Sequence, residues 1–286
     1  MKILVLGSYG MLGHKIFQVL SRNFDVYGTC REPSHQFIDL IPAEKIFTNV
    51  DANNIEQLDD VINKIRPNYV INCIGIIKHR DESKDPIPSI KINALFPHLL
   101  ANLCKKYHAR VIHFSTDCVF SGEKGHYKHE DKSDAEDLYG RTKFLGELHY
   151  DHCLTLRSSI IGRELYNMTG LLEWFLSMRG KTVRGYKNVF FSGISTIGMA
   201  KIIVDILMNF PSMSGLWQVA THRISKYELL SKISDRMRLG IDIIPEEEPI
   251  CDRSLDGSLF NQYINFSPPS WDDMITELEE DAKQYT

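Results

Sequence analysis

Residues 1–20 read "MKILVLGSYGMLGHKIFQVL", and the fold turns on how they are parsed. "KILVLG" is a short apolar run ending on glycine, the pattern of a buried strand. Leu12, Ile16, Val19 and Leu20 then recur at helical spacing through "GMLGHKIFQVLSRN". Between the two, Gly7, Gly10 and Gly13 form G-x-x-G-x-x-G. The first glycine permits a tight turn, and the second lets the backbone approach a pyrophosphate whose charge favours a helix N-terminus. The gap between the first two glycines is one residue longer than in the fingerprint G-x-G-x-x-G. A purely structural glycine turn would look the same in isolation. Its position after the first strand of a βαβ pattern favours dinucleotide binding.

The pattern continues outward from there. "DVYGT", "NYVINCIG", "RVIHFST" and "CLTLRSS" read as strands, with helices over "NIEQLDDVINKIR", "IKINALFPHLLANLCKKY" and "EDLYGRTKFLGELHY" between them. Pro97 is a local irregularity in the long middle helix. Apolar strands alternating with helices predict an α/β fold, a Rossmann-type doubly wound parallel sheet covered on both faces. The second half mixes helices near 170–179, 196–210, 225–238 and 271–283 with short strands such as "LWQVA". It is expected to form a smaller C-terminal α/β lobe. The dinucleotide domain is assigned to 1–160 plus parts of 190–225, and an interleaved substrate lobe to about 161–286.

Composition narrows the function class. The 286 residues are 43% hydrophobic and 24% charged, with a net charge of -4, which makes no electrostatic case for nucleic acid or an acidic membrane. No run approaches the roughly 18 apolar residues of a membrane span. The chain opens directly on a strand, so no signal peptide is expected. Six cysteines lie isolated, without C-x-x-C spacing, which fits reduced thiols and a cytoplasmic location. "PEEEP" (245–249) reads as a solvated loop.

The dinucleotide type should show at the end of the second strand, where an acid would bind the ribose hydroxyls of NAD. This chain has "YGTCRE", with Thr29 and Arg31 at the tip, Glu32 beyond, and Asp25 back at the strand's start. A hydroxyl and a guanidinium suit a 2′-phosphate, so NADPH is favoured with NADH as the alternative. Asp51 in "NVDAN" is either an acceptor for the adenine amino group or a helix N-cap. At the next strand ends, Cys73, Ile74 and Gly75 are placed beside the nicotinamide ribose, and Ser115, Thr116 and Asp117 make a polar cluster. With Tyr9, Met11 and Leu12 of the glycine loop these complete the expected cofactor set. In "DLYGRTKFLGE" (137–147), Tyr139 and Lys143 project one turn apart from one helix face.

A phosphate loop, a hydroxyl-bearing strand end and Tyr-x-x-x-Lys, in this order, resemble the extended short-chain dehydrogenase/reductase superfamily. "FSTDCVFSG" and "YGRTKFLGE" are similar to the STDYVF-D-G and YG-x-[ST]-K-x-x-GE motifs of the dTDP-4-dehydrorhamnose reductase family. "LTLRSSIIGRE" resembles its "ILRTSWVYG", "SGIST" its G-x-P-T loop, and "RISKYELLSKI" its S-x-Y-E-x-A helix. Three departures stand out. Cys118 replaces a usual Tyr, Ser195 replaces a common Pro, and His14-Lys15 stand where some members carry a metal-binding glutamate. No such metal is expected. His126 and His129 are read as solvent-exposed rather than as ligands.

The resemblance implies Tyr139 as proton donor, Lys143 as the charge that lowers its pKa and binds the nicotinamide ribose, and Thr116 as donor to the carbonyl oxygen. It implies substrate contacts from Ser115, Asp117, Arg157 and Arg253, with Arg163 a further candidate. Trp174 and Trp217 read as core. The substrate expected is a nucleotide-diphosphate sugar, reduced at a 4-keto group, by an enzyme that is a homodimer. Two alternatives remain open: an NAD-dependent sugar-nucleotide epimerase or dehydrogenase, and a non-catalytic NADP-binding regulatory subunit like the relative that partners methionine adenosyltransferase.

Overall fold

The computed structural model describes residues 1–32, 40–78, 84–166 and 168–285. Six strands build most of the main sheet: β1 (Lys2–Leu6), β2 (Asp25–Thr29), β3 (Ile46–Phe47), β4 (Tyr69–Asn72), β5 (Arg110–Ser115) and β6 (Cys153–Arg157). A seventh strand, Gly215–Gln218, completes it from the second half of the chain. The spatial order is Gly215–Gln218, β6, β5, β4, β1, β2, β3, and every pairing is parallel.

The apolar runs are continuous because the sheet is covered on both sides. Pleating sends Ile3 and Val5 into one core with Ile16, Phe17 and Leu20 of helix α1 (Met11–Leu20). It sends Leu4 and Leu6 into the other, with Leu58 and Ile62 of α2 (Ile55–Ile65). The register matters more for function. Leu6 pairs with Thr29 and with Asn72, and Ser115 pairs with Arg157. The carboxyl ends therefore finish along one edge, where ligands of open α/β sheets collect.

Two helices differ from expectation, for one linked reason. The predicted helix over 90–107 is built in three pieces: α3 (Pro86–Ser89), a π-helical stretch Ile90–Leu95, and α4 (Phe96–Lys106). Pro97 has no N–H for the Asn93 carbonyl, and the wider turn absorbs that loss. Helix α5 (Leu138–Leu145) stops short of the predicted 136–150 at Gly146. A Cβ on Gly146 would lie 2.0 Å from the Asn93 oxygen, so α5 packs directly on that distorted turn.

The second half adds α6 (Leu171–Leu176), α7 (Thr196–Asn209), α8 (Lys226–Met237), α9 (Ser258–Ile264) and α10 (Trp271–Ala282). Its small sheets went unread in the sequence. Thr182–Tyr186 pairs in parallel with Asp242–Glu246, and Val189–Phe191 pairs with Ile224–Ser225 and Cys251–Asp252. Pro245 and Glu246 of the expected "PEEEP" loop lie in one of these strands. Among the described residues no helix is long and apolar enough to cross a membrane.

Candidate active site

The glycine loop is wedged between three strand ends. Gly7 has φ +73, and a Cβ there would sit 3.1 Å from Ile74 Cγ1 and 3.4 Å from the Cys73 oxygen. A Cβ on Gly13 would lie 2.2 Å from the Gly7 carbonyl oxygen, which no side-chain motion relieves. Ser8 N–H donates to the Thr29 carbonyl at 3.0 Å, tying the loop to β2. Gly28, unread in the sequence, makes room for the Ser8 side chain, because its Cβ would fall 2.1 Å from Ser8 Oγ.

These contacts place Gly7, Gly10 and Gly13 next to Cys73 and Ile74. Helix α1 begins at Gly10 with no side-chain cap and no acidic residue in its first turn. Such a bare N-terminus fits a pyrophosphate. Met11 and Leu12 open the helix, and the half-buried Tyr9 ring stands edge-on to Tyr166 at 6.1 Å. Asp25 lies at the far end of β2, paired with Lys45 at 2.8 Å. Thr29 is buried at the strand tip, and Arg31 is exposed beyond it. The N-cap of α2 is Asn54, not Asp51, since Asn54 Oδ1 accepts from Glu56 N and Gln57 N. Asp51 Oδ1 instead accepts from the Asn53 backbone and side chain at 2.8 and 2.9 Å.

Asp137 caps α5, accepting from Gly140 N at 2.7 Å, and so sets the direction in which Tyr139 and Lys143 project. Thr116 directly follows β5 and lies close enough to the Tyr139 phenol to lower its pKa. It also donates to Asp117 Oδ1 at 3.1 Å and accepts from Cys118 N at 3.2 Å. Lys143 is buried, and its Nζ donates to the Phe114 carbonyl at 2.7 Å. The same Nζ lies 4.0 Å from where a Cβ on Gly75 would be. Gly75 thus keeps the space beside Lys143 free of a side chain.

The electrostatics of the two groups are dominated by burial. Burial pushes the Tyr139 phenol well above its ordinary value, the Cys118 thiol adds to this, and the Thr116 hydrogen bond opposes it. The Lys143 amine is lowered to about 8 by burial, with Glu147 opposing.

Ser115 and Arg157 turn away from the substrate role expected of them. Ser115 Oγ donates to Glu147 Oε1 at 2.7 Å, and Arg157 grips the same carboxylate through Nε at 2.6 Å and Nη2 at 2.7 Å. All three are buried. Pleating explains it: Thr116 faces the site, so its neighbour Ser115 faces inward. Arg163 is likewise committed, to Glu173 at 2.6 Å.

Asp117 and Arg253 do converge on the site. Asp117 accepts from Thr116 and from Ser159 Oγ. Arg253 anchors Nε on the Phe120 carbonyl at 2.8 Å. Burial works against its charge, but Cys118, Cys251, Asp117 and Asp137 raise its pKa. Asp137 also pairs with Lys78 at 2.6 Å on the rim.

Two residues were missed. Asn93, on the π-helical stretch, accepts from Ile76 N at 2.9 Å and donates to the Ile76 oxygen at 3.0 Å, fixing the turn that carries Gly75. The irregularity at Pro97 was the signal available for it. Lys226, at the start of α8, sets its Nζ 4.0 Å from the centroid of the Phe191 ring, and burial lowers its amine to about 8 against the fields of Asp117, Cys118 and Cys251. Of the remaining candidates, His126 is exposed beside Asp256, and His129 is half-buried near Trp217. Trp217 packs in an aromatic cluster with Phe260 and Tyr263, while Trp174 is 37% exposed. Among the described residues no group of three or more potential ligands is arranged for a metal ion.

Comparison with known proteins gives this geometry relatives. Residues 1–163 match the RmlD substrate binding domain family. A probable low-salt glycan biosynthesis reductase of Haloferax volcanii is 28% identical over 149 residues, which are 50% of this chain and 46% of that protein. The chain thus spans about half the length of such curated relatives. The crystal structure of a hypothetical dTDP-4-dehydrorhamnose reductase from Sulfolobus tokodaii superposes with a TM-score of 0.78 at 28% identity, covering 92% of this chain and 94% of that one. A dTDP-4-dehydrorhamnose reductase from Bacillus anthracis, solved with NADP, superposes at 0.82 with 19% identity, covering 98% and 99%.

Proposed function

Because this chain belongs to the RmlD substrate binding domain family, we propose that it is an NADPH-dependent reductase of the 4-keto group of a nucleotide-activated 6-deoxysugar. The observation that carries the reading is the union, on one sheet edge, of an uncapped glycine-loop helix with Thr116, Tyr139 and Lys143. The sugar-nucleotide part rests on the relatives, several of which are named as such reductases.

In this reading Gly7, Gly10, Gly13 and the first amides of α1 hold the dinucleotide pyrophosphate, and Cys73–Gly75 border its nicotinamide end. The cofactor supplies hydride. Thr116 donates a hydrogen bond to the carbonyl oxygen and stabilises the negative charge that grows there. Tyr139 delivers its proton to that oxygen. A sugar alkoxide is far more basic than a phenolate, so even a phenol with a raised pKa is a competent donor. Protonated at neutral pH, Tyr139 stands ready as the acid of the reduction. Lys143, charged below about pH 8, offsets the tyrosinate left behind.

The test is NADPH consumption by wild type and Tyr139→Phe on freshly made nucleotide-linked 4-keto-6-deoxyglucose. Wild-type turnover should fall by a factor of roughly 10²–10⁴ in the variant, with NADPH still bound. Inactivity of wild type on TDP-, UDP- and GDP-linked ketones would overturn the reading.

A further inference from the structure

The Gly10 carbonyl is held from inside the protein by both donors of a single residue. His14 N–H reaches it at 3.0 Å as the first turn of α1 closes, and His14 Nδ1 reaches it at 2.9 Å. That carbonyl shares a planar trans peptide with Met11 N–H, so the two point in opposite directions. Fixing the carbonyl inward therefore aims Met11 N–H outward, from the uncapped end of α1. Amides at this position have no partner within the helix. A hydrogen-bonded carbonyl also polarises its own peptide and makes that N–H a stronger donor.

The His14 ring is fully buried, and what faces its other nitrogen comes from far along the chain. A carbonyl only accepts, so Nδ1 carries the proton. Burial keeps the ring neutral at pH 7, which leaves a lone pair on Nε2. The Tyr285 hydroxyl donates to it at 2.6 Å, with Asp281 Oδ2 farther off at 3.3 Å. Tyr285 thereby selects the one tautomer of His14 that can hold the Gly10 carbonyl. It lies in the turn Lys283–Tyr285 after α10, and that turn is anchored by contacts other than His14. Asp281 pairs with Lys15 at 2.6 Å, both buried. The Tyr285 ring has Arg163 Cζ 4.9 Å and Lys15 Nζ 5.3 Å from its centroid.

We infer that His14 and Tyr285 are positioning residues for the dinucleotide: Tyr285, acting through the His14 ring, sets the Gly10–Met11 peptide so that the Met11 amide donates to the cofactor's pyrophosphate. The inference rests on the proposed reading of the glycine loop as the pyrophosphate site. It adds to that reading a residue from the far end of the described chain. A seam that only packed α10 on α1 would affect stability without singling out the pyrophosphate.

Calorimetry on the full chain tests it, comparing NADP⁺ with adenosine 2′-phosphate, which carries the phosphorylated ribose but no pyrophosphate. The proteins are wild type, Tyr285→Phe and His14→Phe. Both substitutions keep an aromatic ring and remove only polar atoms, and a cooperative melt well above the assay temperature certifies each protein. Expected is a loss of NADP⁺ affinity of about three- to tenfold in Tyr285→Phe and at least as much in His14→Phe, with adenosine 2′-phosphate affinity held within about twofold. The double variant should bind NADP⁺ no worse than His14→Phe, because the tyrosine acts through the ring. Unchanged NADP⁺ affinity in both single variants would overturn the inference and leave the reductase reading standing. A parallel loss for both ligands would also overturn it, assigning these contacts to packing alone, and so would losses that simply add in the double variant. A folded wild type that binds neither NADP⁺ nor NAD⁺ would bring down the reading of the loop and the inference together.

Discussion

Replacing Arg157 by Met separates a structural from a substrate-binding role. The guanidinium and the Glu147 carboxylate are 4% and 1% exposed, joined at 2.6 Å, with a second contact of 2.7 Å. Arg157→Met leaves that carboxylate buried with only Ser115 as donor, and breaking such a pair from one side costs about 3–5 kcal/mol. For a 286-residue chain the unfolding entropy is about 0.6 kcal/mol/K, so Tm should fall by about 5–8 °C. Glu147→Leu should cost a comparable amount, because it strands the cation. The double variant Glu147→Leu/Arg157→Met removes both charges and should lie well above the sum of the singles. Differential scanning calorimetry measures the shifts, and steady-state kinetics with NADPH and the keto sugar measures KM. An Arg157→Met protein that melts within about 1 °C of wild type while its KM for the sugar rises tenfold would refute the assignment.

Gly13→Ala should abolish tight NADPH binding, read by fluorescence titration, since the new methyl meets the Gly7 carbonyl oxygen at 2.2 Å and the loop must open. Lys143→Met should lower kcat, and wild-type kcat/KM should decline as pH rises through about 8, where Lys143 loses its proton. His14 gives a stability signature. It is fully buried, its Nδ1 donating to the Gly10 carbonyl at 2.9 Å while Nε2 accepts from Tyr285 at 2.6 Å, and burial lowers its pKa to about 4. Its folded pKa is below the unfolded 6.5, so its contribution is complete above pH 6.5 and lost as pH falls through 4. That amounts to about 3 kcal/mol. His14→Gln should flatten the stability profile across that window in denaturant titrations.

The first 160 residues were legible because local signals there agree with the fold. Continuous apolar runs mean strands buried on both faces, and the glycines of the first loop occupy positions that only close backbone packing explains. Thr116, Tyr139 and Lys143 were legible for the same reason, as they sit at strand ends or helix positions whose direction the period dictates. The second half was harder. Strands such as Ile160–Ile161 and Cys251–Asp252 are two residues long and too short to show alternation. Their existence depends on partners far along the chain.

The amino-acid sequence by itself determined the alternating α/β order, the glycine loop and the one-turn spacing of Tyr139 and Lys143, since each is written in residues close together. Only the tertiary structure decided which charges face the site. Ser115 and Arg157 looked like substrate contacts, yet they meet Glu147 in the interior. A side chain's direction in a strand can be counted from its neighbours, but what it meets there depends on elements packed from elsewhere. The same holds for the Tyr139 proton. Spacing puts a lysine one turn away, while the burial that raises the phenol's pKa is a property of the whole fold.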